Sequence, residues 1–189
     1  SSFVIEMAPL KEVPHAVYYF LQTVDQNLWN GLAMMLEGGV AAGSFNHWMA
    51  SPMKMDLRHG QHSWEKTRFE QAKLHNLAFT EHSTNYPPPG KFQYSVAFSG
   101  HPGGPSFYVR LDEDSSEEHI SDIHQQASTF GMVVEGIDVL ERYVNHQPTP
   151  QGEPGKAGHL RILTIESMKL LRSDDFDINS NDASSTRLK

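Results

Sequence analysis

Phe92-Gln93-Tyr94-Ser95-Val96-Ala97-Phe98-Ser99-Gly100, then Gly103-Gly104-Pro105-Ser106-Phe107-Tyr108-Val109, and further on Phe130-Gly131-Met132-Val133-Val134-Glu135-Gly136-Ile137-Asp138-Val139-Leu140-Glu141-Arg142-Tyr143, decide how this chain folds. Tyr94, Val96 and Phe98 recur at every second position, which is the period of a strand with one buried face. The glycines and prolines of residues 100–105 turn the chain, and residues 107–111 give the next strand. Residues 112–126 are acidic and polar and read as a surface loop. Residues 130–134 form a further strand. Gly136 then precedes Ile137, Leu140 and Val144, one face of a helix.

Working outward, Phe3, Ile5 and Met7 alternate with Val4 and Glu6 and read as a strand ended by Pro9. Pro14 suits a first helical turn. Val13, Val17, Phe20, Leu21, Val24 and Leu28 follow at helical spacing, which predicts a helix over 14–25. Its apolar stripe needs a sheet to cover. Residues 29–37 read as a strand broken by Gly38-Gly39. Residues 41–66 show no clear period and read as a long excursion, of the kind that usually has a role or structure of its own. Residues 66–75 suit a helical turn or two, and 77–79 a short strand. Tyr86-Pro87-Pro88-Pro89-Gly90 is a loop biased to extended backbone. Residues 148–158 form a Pro/Gly loop and 160–171 hold a final strand. Residues 173–189 have few apolar side chains and read as a disordered tail.

Two helices and several strands in hairpin order favour a mainly β fold. The expected architecture is a closed antiparallel barrel capped by two helices, rather than a doubly wound sheet. Residues 1–172 then make one domain with an insertion at about 44–80 and a flexible C-terminal tail.

The chain has 189 residues and a formal net charge of −8, and no two Lys or Arg are adjacent. Such a surface repels a phosphate backbone, so nucleic acid is not the expected partner. No apolar run reaches the length of a transmembrane helix. Cysteine is absent, which removes disulfides, thiol catalysis and zinc–thiolate sites together. The sequence opens directly in strand-like residues without a signal segment, which reads as a processed form or a fragment.

Three stretches resemble the cyclophilin family of peptidyl-prolyl cis-trans isomerases. Phe3-Val4-Ile5-Glu6-Met7-Ala8-Pro9 with Val13-Pro14-His15-Ala16-Val17-Tyr18-Tyr19-Phe20 is similar to the family's second strand and first helix. Residues 94–100 and 103–109 resemble its paired pocket strands. Residues 130–140 resemble its Phe-Gly-x-Val-x-x-Gly-x-x-Val signature. The resemblance brackets residues 3–171 and is nearest to divergent members often found in the secretory pathway. It implies a cyclophilin-like barrel and no cofactor. A protein or proline-containing peptide, alone or in a larger protein complex, would be the partner. It also implies that the family's first strand lies upstream of Phe3, leaving an edge that proteins normally protect.

A cyclophilin speeds rotation about an X-Pro amide, whose barrier is about 18–20 kcal/mol. It needs an apolar grip on proline and a positioned cation near the prolyl nitrogen, supplied in the family by an arginine. By resemblance Leu36 falls on that arginine and Met35 on the histidine before it. Val40 or Ala41 falls on the pocket phenylalanine. Leucine carries neither charge nor donor. Losing one positioned donor of this kind costs on the order of a hundred- to thousandfold in rate. Phe107 and Tyr108 match the pocket's Phe-Phe pair, Ser99 and Gly100 the pair that binds substrate backbone, and Ala127 a groove histidine, with His124 out of register. The expected function is a degenerate cyclophilin-like module, protein-binding or structural, that no longer isomerises proline well. The alternatives are an active divergent isomerase holding substrate through Tyr108, Val40 and Ser99, and a subunit of a larger assembly.

Among other signals, the chain holds 11 histidines, and His59 and His62 form His-x-x-His. Gly60 between them disfavours the helix that would point both at one metal, so they read as solvated. Asp112 to Glu118 is acid-rich but lacks the spaced glycine of a calcium loop. His47 near Ser44 has no nucleophile elbow to support a hydrolytic triad.

Overall fold

A computed structural model describes residues 1–37, 47–56, 61–76, 81–99, 105–111, 128–142 and 162–171. In chain order these give β1 (Val4–Met7), α1 (Pro14–Asp25), β2 (Ala33–Glu37), β3 (His47–Ala50), β4 (Met53–Asp56), β5 (Gln61–Trp64), α2 (Lys66–Gln71), β6 (Ser95–Phe98), β7 (Phe107–Arg110), β8 (Thr129–Glu135), α3 (Ile137–Glu141) and β9 (Ile162–Thr164). The protein is mainly β. Seven strands form one sheet in the order β1-β8-β6-β7-β3-β2-β9, and β4 and β5 pair as a separate ribbon. Every pairing in the sheet is antiparallel. Among the described residues no ladder joins β1 to β9, so closure into the expected barrel is not seen there.

One face of the sheet and α1 share an apolar core. Phe20 stacks on Phe130 at 4.4 Å and meets Phe107 edge-on at 5.3 Å. Trp29, fully buried, lies edge-on to Phe107 at 4.8 Å and to Phe69 of α2 at 5.1 Å. Buried polar groups are satisfied locally, as burial in an apolar core requires. The Trp29 indole donates to Thr23 Oγ1 at 2.8 Å, and that hydroxyl donates to the Phe20 carbonyl at 2.6 Å. The Trp48 indole donates across the core to the Leu140 carbonyl of α3 at 3.2 Å.

Helix α1 starts at Pro14 with no side-chain cap from Val13. A remote carboxylate replaces the cap: Glu81 accepts from the Ala16 N–H at 2.9 Å and from His15 Nδ1 at 2.5 Å. Its own N–H donates to the buried Ser128 hydroxyl at 2.7 Å, which ties the segment to the foot of β8.

The glycines of residues 130–136 have separate reasons. A Cβ at Gly131 would lie 2.8 Å from Ile5 Cγ2 and 2.9 Å from the Glu6 carbonyl, so β1 crosses there only because the side chain is missing. Gly136 caps α3 at φ +72°, and a Cβ there would come within 2.2 Å of the Ser2 carbonyl.

Several expectations change. The strand expected over 29–37 starts at Ala33, because residues 26–31 fold into turns with Asn27 at φ 55° and Gly31 at φ 79°. The excursion contains β3, β4 and β5. β3 sits inside the main sheet between β7 and β2, so the expected insertion contributes a central strand. The remainder, the β4–β5 ribbon and α2, is anchored by Phe69 on Trp29 and by Arg68 Nη1 donating to the Asn30 carbonyl at 2.9 Å. β9 is shorter than expected. Beyond it, Ile165 still exchanges bonds with the turn before β2, its N–H donating to the Leu32 carbonyl at 2.9 Å and its carbonyl accepting from Gly31 at 2.7 Å. The strand expected at 77–79, the loops at 112–126 and 148–158, Val144 and the tail at 173–189 lie outside the described residues.

Candidate functional site

The register assigns each strand residue to one of two faces. Leu36, Trp48, Val109 and Val96 are cross-strand neighbours on the core side. One residue along, Met35, Met49, Tyr108 and Ala97 form a row on the opposite side, continued by Ile162 of β9 at one end and Thr129 of β8 at the other. His47 and Arg110 are opposite one another on that same side. The His47 ring meets the Tyr108 ring edge-on at 5.6 Å, and the Arg110 guanidinium lies 5.8 Å over the Phe92 ring.

Tyr108 is only 7% exposed, and Ala97 is fully buried, although both face away from the core. Burial pushes the Tyr108 hydroxyl up to about 12, partly offset by the neighbouring Arg110 charge. Tyr108 therefore stays a neutral donor at any physiological pH. Met49 on the neighbouring strand β3 and Met35 one strand further on β2 are half-buried.

The residues singled out by resemblance do not gather in one place. Leu36 packs against the core, and Phe107 is fully buried within it. Both turn away from Tyr108, because adjacent strand residues point to opposite faces. Ser99 follows β6, where its N–H donates to the Ser106 carbonyl at 2.8 Å, and it is half-buried. Val40, Gly100, Ala127, Ala41 and His124 lie outside the described residues. The neighbour of Leu36 on the Tyr108 side is Met35, so a one-residue change of register still brings no cation to that strand. His62 lies on β5, and His59 and residues 112–118 lie outside the described residues. Sequence reasoning missed Met49, His47 and Arg110 as members of this face. The available signal was the alternation of His47 and Met49 with the buried Trp48 and Ala50, hidden in a stretch of Gly, Ser, Pro and Asn.

A concavity of about 470 Å³ lies between the end of α1 and α2, lined by Gln26, Asn27, Leu28, Arg68, Gln71 and Ala72. Arg68 there is engaged with the Asn30 carbonyl and, at 3.5 Å, with Glu65, which is a structural use of the charge. No family model matches the chain, and no curated protein matches it. No helix among the described residues is long and apolar enough to cross a membrane.

Proposed function

We propose that this chain is a cyclophilin-like domain whose proline-isomerising chemistry is degraded and that it works as a protein-binding module. One observation carries the reading: the row Met35–Met49–Tyr108 on the face away from the core. Tyr108 keeps an aromatic ring at the position that resembles the proline grip, while the strand that should supply a cation supplies a thioether and turns Leu36 into the core. Rotation about X-Pro requires electrostatic stabilisation where the prolyl nitrogen gains electron density. Thioethers bind apolar groups without providing it.

In an isomerisation assay on a proline peptide, the rate in the presence of the protein should equal the uncatalysed rate. Turnover at the level of an ordinary prolyl isomerase sinks the reading.

A second reading rests on Arg110, which shares its side of β7 with Tyr108. A guanidinium supplied from β7 in place of β2 would make the chain a divergent, active isomerase. Arg110→Ala and Tyr108→Ala would then each abolish a measurable rate, with an unchanged rate in either variant counting against it.

A further inference from the structure

Two of the three tryptophans, Trp29 and Trp48, are fully buried, and the third, Trp64, is 57% exposed. Trp64 ends β5, opposite Met53 of β4 in the separate ribbon. Met53 is buried, so the ribbon is seated at that residue while the Trp64 ring stays in water. A large ring left there forgoes the transfer that the other two gain. Tryptophan is also among the residues that most often anchor a protein interface.

The charge around this ring runs against that of the chain. Residues 53–75 carry five Lys or Arg against three Asp or Glu, whereas the rest of the chain carries ten against twenty. The Lys66 ammonium lies 5.2 Å over the Trp64 ring. Lys54, Lys66 and Lys73 are exposed, and among the described residues none of them pairs with a carboxylate. Glu65 is engaged by Arg68 at 3.5 Å and by the Ser63 hydroxyl at 3.4 Å.

We infer that Trp64 and Lys66 anchor a docking surface for an acidic segment of a partner protein, in which an apolar side chain lies between spaced carboxylates. The apolar side chain covers the part of the ring that Lys66 leaves in water. A carboxylate meets the Lys66 ammonium, which the ring already holds in place. Three lysines are fewer than the roughly six to ten phosphate contacts typical of nucleic-acid binding. Exposed Asp56 and Glu70 are interspersed with them, which suits spaced carboxylates and repels a dense anionic surface. The surface lies on the ribbon and α2, apart from the Tyr108 row of the main sheet, and holds whatever that row binds.

The test is acrylamide quenching of tryptophan emission in the full chain, alone and with an end-blocked synthetic peptide alternating glutamate and leucine. Because Trp29 and Trp48 are buried, the quenchable emission reports on Trp64. The peptide reduces quenching, and added salt removes the effect by screening the exposed charges. By titration calorimetry, Lys66→Glu weakens binding about threefold, the scale of an exposed ion pair. Trp64→Ala weakens it about thirtyfold, the scale of an interface anchor. Four results overturn the inference. The first is unchanged quenching with the glutamate peptide, and the second is equal protection by a lysine–leucine peptide. The third is stronger protection by phosphatidylserine–phosphatidylcholine vesicles or by oligothymidylate, which assigns the surface to lipid or nucleic acid. The fourth is protection that rises with protein concentration alone, which assigns it to a second copy.

Discussion

Gly131 and Gly136 show how single residues set this structure. At Gly131 the obstacle to a side chain is the Glu6 carbonyl as well as the flexible end of Ile5, so β1 itself must shift to admit a methyl group. Overpacking of this kind costs about 1–3 kcal/mol. Gly136 adds a left-handed backbone to a closer clash with Ser2. Gly136→Ala should therefore lower the urea midpoint more than Gly131→Ala, and both should lie below the parent protein; unchanged midpoints would mean that β1 does not cross here. Tyr108 gives a pH signature. Its hydroxyl is raised to about 12 by burial, so the fold favours the neutral phenol. That contribution is complete below the ordinary tyrosine value near 10 and is lost as pH rises toward 12. Between those limits, stability should fall less steeply with pH in Tyr108→Phe than in the parent, because the raised phenol is removed. Identical slopes would place Tyr108 in solvent.

At the scale of elements, α1 and the strands β6, β7 and β8 follow directly from local pattern. Pro14 and the apolar stripe from Val17 to Val24 mark the helix, and Val96 and Phe98, Phe107 and Val109, and Phe130 and Val133 mark the core side of their strands. β3 was hidden because its informative alternation covers only four residues and sits among turn-forming ones. The end of α1 at Asp25 falls where the apolar spacing places it. Its stop depends on Asn27 in a left-handed turn and on Thr23, whose hydroxyl ties the helix to the Trp29 indole. Thr23→Val keeps the shape and removes that acceptor, leaving a buried indole donor unsatisfied at a cost of about 1–3 kcal/mol. Thermal unfolding should show the loss, and a variant as stable as the parent would mean that the indole finds another acceptor.

For the whole molecule, the sequence pattern points to an antiparallel β architecture, and strand order comes only from the structure. The candidate site was legible in part. Tyr108 stood out through Gly103-Gly104-Pro105, whereas Met35, Met49, His47 and Arg110 join it only through cross-strand register, which no local period encodes. The same register separates Leu36 and Phe107 from Tyr108. On the proposed reading, the Tyr108 side of the sheet binds apolar groups and β2 brings no cation to it. Exchange spectroscopy on a proline-containing peptide tests this most directly. With the protein added, signals at Met49 and Tyr108 should shift, with no exchange between the peptide's cis and trans forms beyond the uncatalysed rate. Exchange cross-peaks growing with protein concentration would contradict it.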